Sequence, residues 1–370
     1  MENIPVTVSA SGGQRDRKRR PELSLLNLIS CAAVIFIHVS SAPVTTLNRG
    51  SWQYALVFCL WRLASFAVPA FFTMSAVKLF LHGIPSFQPG RYYLSRFRRI
   101  VLPYLAWVLI YYLYFVRHNY FPFSFSELLR YICVGDLVSH FYFVIAMVQF
   151  YALVPLWIWL MKRCEPVSTL IFSLMFTAGA VFCLPSALSA VGGISFLYND
   201  RLFTSYLFYW IAGCLIGLHY EKFLEMLRKK RMACSLTYLF FTVCDLFLTY
   251  FQNTRDVVVA GLEILHMGCC MAGVLFFFMI ADALAVHFPR LMENPLLVSA
   301  DRSSYAIFLS HCLAIFIIND HMAGWGIRSI ALAYGIRIVF VYTVTVGLCV
   351  LFDQVRRRFF RTKRKQADRA

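Results

Sequence analysis

Charge is scarce in this sequence. Of its 370 residues only 14% are Asp, Glu, Lys or Arg, against about 25% in an average soluble protein. A chain that is 60% hydrophobic has too little polar surface to cover a soluble core, and a mean hydropathy of +0.67 points to a bilayer as its solvent. Paired cysteine motifs are missing too. The 12 cysteines, Cys31, Cys59, Cys183, Cys214, Cys270 and Cys312 among them, form no C-x-x-C pair and no zinc-ligand spacing. They read as small core residues, and no metal site is expected. No Pro/Ser-rich linker, low-complexity block or transporter-like internal repeat divides the chain. Residues 1–370 therefore read as one membrane domain with basic tails at 1–22 and 354–370. No small-residue cleavage site follows the first apolar run, so that run is expected to stay as a helix and not to be removed as a signal. The largest segments between apolar runs, 117–138 and 187–202, are too small for a separate soluble catalytic domain. Any chemistry has to use helices and short loops.

What is present is a succession of long apolar runs. A hydrocarbon core takes about 20 residues of helix, and on that ruler the chain holds ten spans: 23–42, 53–81, 100–116, 139–161, 168–186, 203–219, 233–251, 257–282, 300–319 and 327–353. The expected fold is all-α and polytopic. Pro69, Pro103 and Pro155 fall within or near the ends of spans, where they interrupt the helical hydrogen-bond ladder and leave backbone groups facing a cavity. The formal charge of +17 is explained by its placement. With the N-terminus in the cytoplasm, 26 of the 35 Lys and Arg fall in cytoplasmic loops and tails and six in outer loops, as the positive-inside rule requires. Both termini are then cytoplasmic, and the basic excess is topology and not nucleic-acid binding. The tail "RRRFFRTKRKQADR" also suits anionic lipid headgroups.

Polar residues inside the spans are the candidates for chemistry, because each must be partnered or used. His38 lies about 22 Å along the first helix at 1.5 Å per residue, beyond the midplane. His140 opens the fourth span and His311 lies within the ninth. They are either three separately satisfied histidines or one convergent group suited to proton transfer. Arg91, Arg96, Arg98 and Arg99 cluster at the inner end of the third span. Topology accounts for such a cluster, and so does anion binding, since Arg99 shares a helical face with Pro103. Arg62, Asp245, Glu263, His266 and Arg337 also lie within spans, with pairing not readable from sequence.

The motifs resemble those of the membrane acyltransferase-3 family, the O-acyltransferases of bacterial surface glycans. "PELSLLNLISCAAVIFIHVS" is similar to the family's opening helix, "FAVPAFFTMSA" to its apolar Ser-Gly segment and "RFRRIVLPYLAW" to its R-x-x-R lead into the third helix. "HFYFVIAMVQFYALVPL" and "SSYAIFLSHCL" resemble its His-aromatic and late Tyr/His helices. The resemblance implies a multi-pass bacterial plasma-membrane enzyme that takes an acyl group, commonly acetyl, from cytoplasmic acyl-coenzyme A to a hydroxyl of a polysaccharide or glycolipid. No tightly bound cofactor is implied. It makes His38 the base or acyl-relay residue, with His140 and His311 beside it in the catalytic set. Arg96 and Arg99 would hold the donor's phosphates, with Ser75, Tyr142 and Tyr305 at motif positions assigned to the donor side. The chain departs from the pattern at three places: Asn27 replaces an Arg eleven residues before the histidine, Ser24 a frequent Asp, and Ala76 the Gly of Ser-Gly. The rival reading is a transporter or non-catalytic membrane component.

Overall fold

A computed structural model describes residues 20–192 and 198–367, and no strand occurs among them. The helices in order are α1 (Pro21–Thr46), α2 (Trp52–Leu63), α3 (Ala67–Phe80), α4 (Pro89–Arg96), α5 (Leu102–Arg117), α6 (Phe125–Val134), α7 (Tyr142–Ala152) and α8 (Val154–Arg163). They continue with α9 (Pro166–Gly192), α10 (Leu207–Leu218), α11 (Tyr220–Lys229), α12 (Arg231–Arg255), α13 (Leu262–His287), α14 (Pro289–Glu293), α15 (Pro295–Gly324) and α16 (Ile330–Ala367). Among the described residues eight helical stretches are long and apolar enough to cross a membrane. A ninth arises if Phe125–Val134 and Ser139–Ala152, bent by 49°, count as one, and Phe203–Leu218 is a shorter apolar helix. All ten apolar runs of the sequence fall on helices. The basic residues Arg15 to Arg19 lie outside the described residues, while the C-terminal basic stretch continues α16 as far as Ala367.

The prolines set the breaks. Each of the three singled out above stands in the first turn of an α-helix, beside a change in the helical hydrogen-bond ladder. Pro69 follows the 3-10 turn Ala64–Phe66 between α2 and α3, and Pro103 follows a π-helical turn, Phe97–Val101. Pro155 splits the expected span 139–161 into α7 and α8. Two further boundaries differ from the hydropathy reading. The third span begins at Pro89 and not at residue 100, as a continuous helical run to Arg117. The eighth begins at Leu262 and not at 257, because Asp256 and Gly261 both adopt left-handed backbone and Val258, although apolar, is 95% exposed in the loop between them. On the surface, the Glu165 carboxylate accepts hydrogen bonds from the N–H groups of Val167 and Ser168, 2.9 and 2.6 Å. Those bonds start α9 and hold the Glu165 carboxyl below its usual range.

α1 is the central element, packed against α3, α13, α15 and α16. α3 and α10 approach most closely, through the G-x-x-x-G pair Gly213 and Gly217. A Cβ on Gly213 would collide with the Thr73 carbonyl oxygen, and one on Gly217 would lie 2.7 Å from that of Val77; small residues let membrane helices touch backbone to backbone. α12 is inverted relative to a soluble helix. Leu236, Leu239, Phe240, Val243 and Phe247 are exposed, whereas Thr242, Asp245 and Thr249 are buried. Its apolar face meets lipid and its polar stripe faces the bundle.

Candidate functional site

Three helices bring three imidazoles together. α1 carries His38 on its C-terminal half. His140 is set by the turn after α6, where Gly135 at φ 70° ends the helix; a Cβ there would lie 2.7 Å from Ile145 Cγ1, so the left-handed turn and the close packing both require glycine. The 3-10 turn Ser139–Phe141 then drives His140 into the bundle. α15 supplies His311. The ring centroids lie 5.8 Å apart for His38 and His140, 5.0 Å for His38 and His311, and 4.7 Å for His140 and His311. His140 and His311 are buried, and His38 reaches the cavity described below.

Hydrogen bonds fix part of the proton arrangement. The Phe308 carbonyl lies 2.7 Å from His311 Nδ1; a carbonyl only accepts, so Nδ1 carries the hydrogen and the neutral ring keeps its lone pair on Nε2. That Nε2 faces the Cys312 thiol at 3.3 Å. His38 Nδ1 lies 3.3 Å from Ser139 Oγ. Neither ring nitrogen of His140 has a hydrogen-bond partner of normal geometry among the described residues, the Leu309 carbonyl being the backbone group it faces. Tyr111 braces the group from α5. Its hydroxyl donates to the Leu309 carbonyl, 3.0 Å, and accepts from the Leu313 N–H, 2.7 Å. It thus reaches two groups that an α-helix pairs directly, and α15 runs unbroken past it from Pro295 to Gly324.

Two cavities adjoin beside this group, one of them lined by His38 and His140. The larger, about 650 Å³, is lined by His38, Ser139, His140 and Tyr142, and on its far wall by Arg62, Asp200, Glu263, His266 and Cys270. The smaller, about 230 Å³, is lined by Asn27, Ser75, Arg99, Tyr151, Ser304 and Tyr305. Phe143 and Phe308 line both. Ser75, Arg99 and Tyr305 are thus brought together in the wall of one cavity. Arg96 is not in the wall of the smaller cavity; its guanidinium lies 4.5 Å from the centroid of Tyr151, which is. Tyr142 belongs to the histidine cavity and not to the arginine one, because the turn before α7 points it the same way as His140. Arg99 sits in the π-helical turn, and the Tyr305 hydroxyl donates to the Ile100 carbonyl of that turn, 2.9 Å. Such turns free backbone groups for other partners. Asn27 Nδ2 donates to Asp301 Oδ1, 2.8 Å, and Ser304 Oγ, 2.9 Å, tying α1 to α15 at the floor of the smaller cavity.

Three of the remaining intramembrane residues, Arg62, Asp245 and His266, are paired in a way the sequence left open. Arg62 Nε and Nη2 donate to the two carboxylate oxygens of Asp245, 2.8 and 3.0 Å, and His266 Nδ1 lies 3.2 Å from the same carboxylate. His266 Nε2 faces Cys270 Sγ at 3.4 Å. Arg337 donates to Asn319 Oδ1, 2.9 Å. This second imidazole group was legible only as residues within spans. The signals available were His266 and Cys270 four apart on one helix, and Thr242, Asp245 and Thr249 on one face of another. His38, His311 and Cys312 have donor atoms within 4.8 Å of one another, a spacing from which an ion could be gripped.

A family model described as an acyltransferase domain matches residues 20–353. No curated protein and no solved structure matches the chain.

Proposed function

Because the chain belongs to the acyltransferase-3 family, a family of membrane acyl-transfer enzymes, we propose that it moves an acyl group, commonly acetyl, from cytoplasmic acyl-coenzyme A to a hydroxyl of a cell-surface polysaccharide or glycolipid. One observation carries the reading: a cavity lined by Arg99 and a cavity lined by His38 and His140 abut, with Phe143 and Phe308 in the walls of both. The 26-to-6 distribution of basic residues supports an orientation with both termini and the smaller cavity on the cytoplasmic side of a bacterial plasma membrane.

In this scheme Arg99, with Arg96 beside it, holds donor phosphates by charge-assisted hydrogen bonds. Tyr305 and Ser75 line the way inward. The acceptor occupies the larger cavity, whose mix of Asn199, Asp200, Ser205, Glu263 and tyrosine rings suits a polyhydroxylated ligand. His38 removes the proton from the attacking hydroxyl, or first takes the acyl group itself. In the direct route the new C–O bond forms as the thioester C–S bond breaks, and coenzyme A leaves with a proton on its own side. His311, with Nδ1 held by Phe308, keeps its lone pair on Nε2, beside the weak Cys312 thiol donor, and can share the proton that His38 takes.

The test uses purified protein in sealed vesicles, with acyl-coenzyme A on one face and a glycan acceptor on the other. Acceptor-dependent release of coenzyme A with acylated glycan on the opposite face is the expected result. Passage of an acyl compound or glycan without bond exchange would favour a transporter.

A further inference from the structure

The second imidazole group has the layout of a nucleophile, a base and an orienting acid. Asp245, on α12, receives His266 Nδ1 at 3.2 Å; His266 Nε2, on α13, receives Cys270 Sγ at 3.4 Å one turn further along. A carboxylate on Nδ1 fixes the hydrogen there and turns the Nε2 lone pair to the thiol, the logic of a cysteine-histidine pair with a third group holding the ring. Arg62, bound to both oxygens of Asp245, locks that acid in place and brings positive charge to the same wall. Ser65 Oγ lies 3.8 Å from the sulfur. Arg62, Ser65, His266 and Cys270 all line the larger cavity, which His38 and His140 line as well.

We propose that Cys270 is a second acyl carrier, holding the acyl group as a thioester on the acceptor side of the three histidines. The inference rests on the acyl-transfer reading above and deepens it. Its chemistry balances without any further reactant. The Cys270 thiol gives its proton to His266 Nε2, and the thiolate attacks the acyl carbonyl. A C–S bond forms to Cys270 while the bond to coenzyme A sulfur, or to the His38 ring nitrogen, breaks, and that leaving group takes a proton. The acceptor hydroxyl then attacks the Cys270 thioester, His266 takes its proton, the C–O bond forms, and the released thiolate is reprotonated. The energetics favour a thiol at this place. An acyl-imidazole lies above a thioester in transfer potential, so a group moved from coenzyme A onto His38 alone rests uphill, whereas on Cys270 it returns to the level of the donor.

The experiment incubates purified protein with radiolabelled acyl-coenzyme A and no acceptor, denatures it, and maps the label. The parent is expected to carry label on the Cys270 peptide, released by neutral hydroxylamine and chased by added acceptor. Cys270→Ala should lose that label and about a hundredfold in transfer rate while still binding coenzyme A. Cys270→Ser should trap the acyl group as an ester that neutral hydroxylamine leaves in place, which also reports that the variant is folded. His266→Gln should slow labelling without moving its position. A Cys270→Ala protein that transfers as fast as the parent would end the carrier role and leave the acyl-transfer reading standing. A parent that transfers nothing from any acyl-coenzyme A would overturn both.

Discussion

Two imidazole groups face one cavity and are held by different physics. His38, His140 and His311 are kept by shape: aromatic rings pack around them, with Phe308 centred 5.2 Å from His140 and Phe141 4.6 Å, and their polar contacts are a serine, a thiol and a backbone carbonyl. His266 is kept by charge, through a carboxylate that a guanidinium grips with two bonds. Packing leaves both ring nitrogens of His140 without a hydrogen-bond partner among the described residues. Ion pairing commits Nδ1 of His266, leaves its Nε2 to the Cys270 thiol, and ties helices together, since Arg62 on α2, Asp245 on α12 and His266 on α13 are joined at one point. The difference teaches that a histidine within a membrane span is read by its partners and not by its depth.

The comparison can be broken from either side. His38→Ala should lower acyl transfer by about two to four orders of magnitude with little change in melting temperature, because a ring at a cavity wall leaves no stranded partner; assay and thermal unfolding in the same detergent check both halves. Asp245→Leu should act first on stability, costing roughly 3 to 5 kcal/mol because it leaves Arg62 unpaired. Adding Arg62→Met to it should return most of the loss, a recovery visible in thermal unfolding. Next in size is Arg99→Gln, where loss of a charge-assisted contact of about 1.5 to 3 kcal/mol weakens coenzyme A binding roughly 10- to 150-fold, measured by calorimetry, with the fold intact. Tyr111→Phe should be smallest, a several-fold loss of rate, because it removes the hydroxyl that braces α15 beside His311 at a cost of about 1 kcal/mol per bond. An unchanged rate would mean that the Tyr111 hydroxyl has no part in placing the ring.

Much of this arrangement was legible in the sequence, and what was not has physical causes. Hydropathy finds helices because lipid and packed core are alike apolar, so all ten runs fall on helices. It misplaces ends for the same reason: Val257 to Val259 are as apolar as a span and form a loop, stopped by left-handed turns that hydropathy does not sense. The meeting of His38, His140 and His311 was foreseen as a possibility from compatible depths along helices of known rise. Depth does not encode azimuth, however. Tyr142 was grouped with the arginines by motif, and the turn before α7 rotates it into the histidine cavity. The Arg62–Asp245–His266 contacts join residues about 180 positions apart in one case and 21 in the other, and only packing decides which of five intramembrane charges meet.

The two phenylalanines shared by the cavities have an electrical consequence. Across an energised membrane each elementary charge carries about 2.3 kcal/mol per 100 mV, so any water file running from the arginines to the outer face would leak protons continuously. Phe143 and Phe308 offer no hydrogen-bonding atom at the junction, and apolar constrictions of this kind stop conduction by drying. On the proposed reading the two rings insulate the bundle where its cavities touch, and Phe308→Ala is expected to raise proton leak through the protein in sealed vesicles.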